Sequence, residues 1–183
     1  TLPVLGVLAA AKKIEDGESA FYVQERLARD GTVPVVKIRC MKIDADTDVN
    51  ANLQNAFTYG EDCDPRNTKL GRFMRRYELE ELPQLWQVVA GQLSLVDIRA
   101  APQYVLGFLR ENRPKSFEEW KDAYNDGRKP GLFSLNIAVN NQRKDDKRRH
   151  HYDLLYARKA SLGLDLFIMY RTGMRMINKV LRK

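Results

Sequence analysis

Cysteine is nearly missing from this chain: Cys40 and Cys63 are the only two in 183 residues. Two thiols make no disulfide framework, which argues against a cross-linked secreted scaffold and makes a reducing cytoplasm the default setting. Histidine is equally scarce, and His150 and His151 are adjacent, poor geometry for two ligands on one helix face, so no metal site is assigned there. No apolar run is long enough to span a bilayer. No repeat, linker or composition shift divides the chain, so a single domain over 1–183 is expected, with a core large enough to fold alone. Acids are in deficit, 24 against 31 basic residues. The resulting net charge of +7 favours anionic partners: phosphorylated substrates, an acidic lipid surface or nucleic acid. The acidic run at 44–48 resembles a calcium loop but lacks the glycine at its sixth position and the acid at its twelfth, so that site is rejected.

What is present concentrates in residues 64–99. Two adjacent carboxylates, Glu80 and Glu81, follow Arg66, Lys69, Arg72, Arg75 and Arg76. Cations at this density suit a phosphate-bearing ligand, and the acids could hold a divalent metal or attack an electrophile. Leu79, Leu82, Leu85, Trp86 and Val89 recur at helical spacing and predict a helix with one buried face. Pro83 belongs near the start of that helix, which places both acids in or near its first turn. The helix dipole favours anions there by about 0.3–1 kcal/mol, and the neighbouring arginines are expected to keep both acids ionised. A turn at Gly91 and a strand-like Ser94–Val96 then deliver Arg99.

Around this centre, residues 2–11 form an apolar run closed by Lys12 and Lys13. As a helix it would be roughly 15 Å long, about half a bilayer core. Residues 19–42 read as a hairpin, with a turn signal at A-R-D-G-T and a β-branched second strand. Lys37 and Arg39 share one face of that strand, since i and i+2 point the same way. The acidic, amide-rich stretch 43–63 is expected to be a mobile insertion. Residues 101–127 read as helical, L-N-I-A-V-N at 135–140 as a short strand, and about Leu162 to Leu181 as an amphipathic helix with Phe167, Met174 and Ile177 packed in the core. The basic stretch 142–151 reads as a solvated helix face with interspersed acids, as a patch for an anionic membrane surface or as a nucleic-acid contact.

The order and spacing of these residues resemble the bacterial sugar transferases, monotopic phosphoglycosyl transferases whose core reads D-P-R-x-T-x-x-G followed by S-L-D-E-L-P-Q-L and a G-D-x-S-L-V-G-P-R-P loop. Asp64, Pro65, Arg66, Thr68, Gly71, Arg72, Arg75, Leu79, Glu81, Leu82, Pro83, Gln84, Gly91, Ser94, Leu95, Val96 and Arg99 match. Gln24, Arg26, Gly31, Lys37, Arg39 and Met41 match an upstream motif, Lys129 to Leu132 a downstream one, and Asp153, Tyr156, Ser161, Leu164, Asp165, Ile168 and Thr172 another.

The resemblance implies an α/β (α+β) fold in which a small antiparallel strand element is surrounded by helices. It further implies an N-terminal membrane-inserting helix and interfacial amphipathic helices. In this reading residues 1–13 are the remnant of a re-entrant helix broken near Pro3. The chain opens at Thr1, so upstream sequence is expected to be missing. Residues 64–99 become the catalytic core. The implied reaction moves a sugar-1-phosphate from a UDP-sugar to polyprenyl (undecaprenyl) phosphate and releases UMP, the first step of glycoconjugate or exopolysaccharide assembly. The first acid of the dyad, here Glu80, is the nucleophile, and Glu81 helps bind Mg²⁺. Lys37, Arg39, Arg66, Arg72, Arg75, Gln84 and Arg99 fall to substrate binding. The implied setting is the cytoplasmic face of the bacterial inner membrane, with no nucleic-acid partner. The oligomeric state stays open, a homodimer included.

Four positions depart from the pattern: Glu80 for aspartate, Glu78 for the preceding serine, Asp97-Ile98-Arg99-Ala100 for G-P-R-P, and Glu18-Ser19 for G-P. They raise the alternative of a catalytically degenerate homologue that binds nucleotide sugar, lipid or a partner without turnover.

Overall fold

The computed structural model describes residues 2–28, 31–43, 45, 64–99, 103–125, 128–139 and 146–181. Apart from Ile43 and Ala45, the expected insertion at 43–63 lies outside these residues, as do 142–145 of the basic stretch. The architecture mixes helices with two small sheets. Strands β1 (Phe21–Ala28) and β2 (Gly31–Ile38) pair with each other. Only two residues separate them in sequence, which admits an antiparallel hairpin alone. A second pair, β3 (Ser94–Val96) with β4 (Gly131–Phe133), is parallel, Ser94 opposite Gly131 and Val96 opposite Phe133. Sequence reading anticipated the hairpin and β3 but not this parallel pairing, which depends on a long crossover between the strands. Main-chain contacts group the chain into two compact units, residues 1–24 with 34–86 and residues 25–33 with 87–183.

In the first unit, helix α1 (Leu2–Asp16) packs Leu8 with Ile38, Cys40 and Met74, and Leu5, Leu70, Leu79 and Leu82 close around them. Helix α2 (Lys69–Tyr77) starts at Thr68, whose hydroxyl accepts the Gly71 N–H at 3.0 Å. Thr68 also donates its own N–H to the Cys40 carbonyl at 2.9 Å. This close approach needs the glycine: a Cβ at residue 71 would overlap the Cys40 carbonyl. Lys12, read as the polar end of the apolar run, is instead fully buried. It meets Glu15 and Asp16 at 2.8 Å each and the Thr68 hydroxyl at 3.1 Å. Glu15 in turn accepts the Leu70 N–H at 3.1 Å. The charged turn of α1 is thereby tied to the start of α2.

In the second unit, Val96, Ile98, Leu135, Ala138, Tyr156 and Ile168 form the core. They come from β3 and the residues just after it, a short helix α6 (Leu135–Val139), and helices α7 (Asp146–Lys159) and α8 (Leu162–Leu181). Helices α4 (Gln103–Asn112) and α5 (Pro114–Asn125) occupy the stretch expected to be helical. Residues 135–139 are helical, not the strand expected from their β-branched content: Ser134 accepts the Ile137 N–H at 3.4 Å and opens a helical turn, a local cap that outweighs weak strand propensity. On α8 the buried positions are Ile168 and Thr172, while Phe167, Met174 and Ile177 are exposed, contrary to the expectation of core packing. The helix is apolar on two faces, and a sequence periodicity cannot say which one finds a partner.

Candidate active site

The acid pair is built by the way α2 ends. Glu78 takes a left-handed conformation, φ 59° and ψ 25°, a region that non-glycine residues seldom occupy. The chain reverses there into a single 3₁₀ turn, Leu79–Glu81, before helix α3 (Leu82–Val89) begins. Both acids therefore sit just ahead of α3, with Pro83 in its first turn, as the spacing predicts. The predicted apolar face is only partly buried: Leu79 and Leu82 pack against the core of the first unit and Leu85 is half-buried, but Trp86 and Val89 are exposed, and the fully buried positions are Pro83, Gln84 and Gln87. The 3₁₀ turn shifts the helical register, so the face that carries Glu80 and Gln84 turns inward.

The two acids have different surroundings. Glu80 is only 4% exposed, and its Oε2 makes no hydrogen bond. Gln84, four residues on, is equally buried, and its Nε2 makes none. Glu81 accepts the Lys37 ammonium at 2.8 Å. Burial, and then the charge of Glu81, raise the Glu80 pKa above its ordinary range, against the lowering pull of Lys37 and Arg75. At Glu80, then, desolvation outweighs the pull of the neighbouring cations on its pKa. Cys40 lies in the same field: burial and then Glu80 push its thiol up to about 12, with Arg75 and Lys37 opposing. An apolar, un-ionised thiol near Glu80 is a site feature that sequence reading missed; its one signal is a place two residues past the end of β2.

The cations divide by role. Lys37 meets Glu81. Arg39, beyond the end of β2, makes a two-pronged pair with Asp16 at 2.8 and 2.7 Å and donates to the Ser19 carbonyl at 2.8 Å. The Arg39 hydrogen bond holds the Asp16 carboxyl far below the usual carboxylate range. Arg66 grips Asp64 with Nε at 3.0 Å and Nη2 at 2.7 Å. Burial alone would raise Asp64, but the Arg66 contacts win and lower it. Arg72 is exposed on α2, and Arg75 half-buried. Arg99 belongs to the second unit, where it donates to the Leu132 carbonyl at 3.2 Å. Beside it in sequence, Asp97 stands 3.6 Å from Arg128 and accepts the Ile98 N–H at 2.7 Å. Within the first unit, then, the fold assembles Glu80, Glu81 and Lys37, with Arg75 and Cys40 in their electrostatic field.

Among the described residues no three His, Cys, Asp or Glu side chains cluster as a metal cage. Mg²⁺ does not need one: it binds through one or two carboxylates and fills its sphere with water and substrate phosphate. An adjacent carboxylate pair with one buried oxygen lacking a hydrogen bond fits that donor set.

A family model described as bacterial sugar transferase matches residues 1–179. The chain is 34% identical over 185 residues to the undecaprenyl-phosphate glucose phosphotransferase of Komagataeibacter xylinus, which covers 96% of this chain and 32% of that protein. To the UDP-glucose:undecaprenyl-phosphate glucose-1-phosphate transferase of Escherichia coli (strain K12) it is 30% identical over 194 residues, 97% of this chain and 37% of the relative. To the UDP-galactose-lipid carrier transferase of Erwinia amylovora it is 30% identical over 180 residues, 93% and 36%. The chain therefore spans about a third of the length of these curated relatives. With the family match running almost end to end and the acid pair at the centre of the matched core, the chain belongs to the bacterial sugar transferase family.

Proposed function

We propose that this chain transfers a sugar-1-phosphate from a UDP-sugar to a polyprenyl phosphate, releasing UMP, at the surface of a membrane. The observation that carries the reading is the buried Glu80, with one oxygen lacking a hydrogen bond, next to a Glu81 that Lys37 already holds. A carboxylate with a raised pKa and little hydration is a stronger nucleophile than a solvated one, provided that it is ionised when it reacts.

The transfer divides into two displacements. A Glu80 carboxylate oxygen attacks the β-phosphorus, the bond from that phosphorus to the bridging oxygen breaks, and UMP departs with the electron pair. The acyl phosphate so formed carries the sugar. An oxygen of polyprenyl phosphate then attacks the same phosphorus and frees the Glu80 carboxylate, leaving a polyprenyl-diphosphate sugar. Lys37 and Arg75 offset the negative charge that gathers around the acids. Glu81, with Glu80 beside it, would hold Mg²⁺; when bound, the ion supplies charge that neutralises the diphosphate. Arg72 on the exposed side of α2, Gln84 and Arg66 are the donors that the first unit offers to the nucleotide and phosphates. Arg39 contributes by fixing the end of α1.

A membrane setting is supported by α1, a helix of 15 residues or about 22 Å. It exposes Leu2, Val4, Val7 and Ile14, the last 85% exposed. Among the described residues no helix is long and apolar enough to cross a membrane, which suits insertion into one leaflet or lying along the cytoplasmic face of the inner membrane.

The test follows UMP release by the detergent-purified protein with Mg²⁺, polyprenyl phosphate and a panel of UDP-sugars, for wild type, Glu80→Ala, Glu80→Asp and Glu81→Ala. Turnover that needs both acids, with a phosphosugar trapped on Glu80, is the expected result. Release by Glu80→Asp alone would favour the degenerate homologue, a competent fold silenced at its nucleophile. Release that survives Glu80→Ala overturns the mechanism.

A further inference from the structure

The second unit holds a cavity of about 270 Å³ between helices α6 and α8. Arg171, Arg175 and Lys179 line it, spaced four residues apart and so stacked along one ridge of α8. Asn178 adds an amide, and the side of α6 from Ile137 to Val139 makes the floor. Arg175 donates to the Ile137 carbonyl at 3.0 Å, which holds its guanidinium against the wall. Among the described residues no acidic side chain lines the cavity. The volume lies just below the roughly 300–1,000 Å³ of drug-sized pockets, room for a headgroup more than for a nucleotide sugar. The neighbouring ridge of α8 exposes Leu166, Tyr170, Met174 and Ile177, and Met174 also lines the cavity. A cationic pocket opening beside an apolar ridge suits an anion that carries hydrocarbon.

We propose that this cavity holds the phosphate group of an anionic membrane lipid, whose chains lie along the exposed ridge of α8. The site does not depend on the transfer reaction, and its readout is binding alone.

The experiment measures flotation of the full chain with vesicles of phosphatidylcholine alone or with a minority of phosphatidylglycerol. Wild type is compared with the pair Arg171→Gln and Lys179→Gln, and with a charge-matched control, Arg158→Gln and Lys159→Gln, at exposed positions of α7. Two cations near an anionic surface predict a loss of about 30-fold in the preference for acidic vesicles for the first pair. The control pair is expected to stay within a few-fold of wild type. Equal losses in both pairs reduce the effect to overall charge and overturn the site, as does no loss in either. Inorganic phosphate is the second probe. Phosphate that wild type binds by phosphorus NMR, while the first pair keeps full vesicle binding, overturns the lipid assignment. Arg171→Glu alone, at an exposed position, keeps the test available should the pair fail to fold; full retention of the preference for acidic vesicles then refutes the proposal.

Discussion

Replacing Lys37 by methionine tests the electrostatic reasoning at the acid pair most directly, because methionine keeps most of the apolar stem and removes only the charge. The ammonium lies 2.8 Å from Glu81, with side-chain exposures of 18% and 12%. At that distance and an effective dielectric of about 20, the attraction is about 6 kcal/mol. Desolvation of both ions and the ordering of two long side chains cancel most of it, leaving a coupling of about 1–3 kcal/mol. Lys37→Met should therefore lower stability by about 2 kcal/mol, or about 4–8 °C in melting temperature for a chain of this size. A double-mutant cycle with Glu81→Gln should recover the coupling. The same cation lowers the Glu80 pKa against burial and Glu81. Its removal should raise that pKa further, so less of the nucleophile is ionised at a given pH and the acid limb of kcat/KM moves to higher pH. Lys37→Arg should bring the limb back towards its original position. A coupling below about 0.5 kcal/mol, or an acid limb that stays in place, would refute the reasoning.

Glu80→Gln separates stability from activity. Because the Glu80 pKa is raised in the folded chain, the native state binds the proton more tightly than the unfolded one. Stability from this residue is then present at low pH and lost as pH rises from the ordinary 4.5 through the raised value. The glutamine variant should resist urea better than wild type at neutral pH, with the difference shrinking towards pH 4, while UMP release disappears. Gly71→Ala should cost about 3 kcal/mol, since the obstacle is the Cys40 backbone and not a side chain that can turn away; a melt within about 1 °C of wild type would contradict the packing. Lys12→Met leaves Glu15 without its ion partner and deprives Asp16 of one of two. It should cost about 2–3 kcal/mol, less than for a fully buried pair because both acids stay partly exposed, and hydrogen exchange should quicken at Leu70 and Gly71 at the start of α2.

The sequence by itself determined the family and the local pieces. Order and spacing from Asp64 to Arg99 pointed to the bacterial sugar transferases, and the turn at Gly91, the hairpin, the α8 helix and the place of the acids before Pro83 followed from nearest-neighbour chemistry. These are features that a chain writes within one or two turns of itself. Tertiary structure decided the rest. Lys12 and Glu15 or Asp16 are spaced for a helical ion pair, yet only the docking of α1 against Thr68 buries Lys12. Lys37 and Arg39 look equivalent two residues apart, but the strand ends between them, and one meets Glu81 while the other meets Asp16. On α8 either apolar face could have been the core, and the choice fell to what packed against Ile168 and Thr172. The upward shift of the Glu80 pKa was equally beyond the sequence. Adjacent cations are visible there, but the burial that outweighs them arises only when residues far apart in the chain close over one carboxylate.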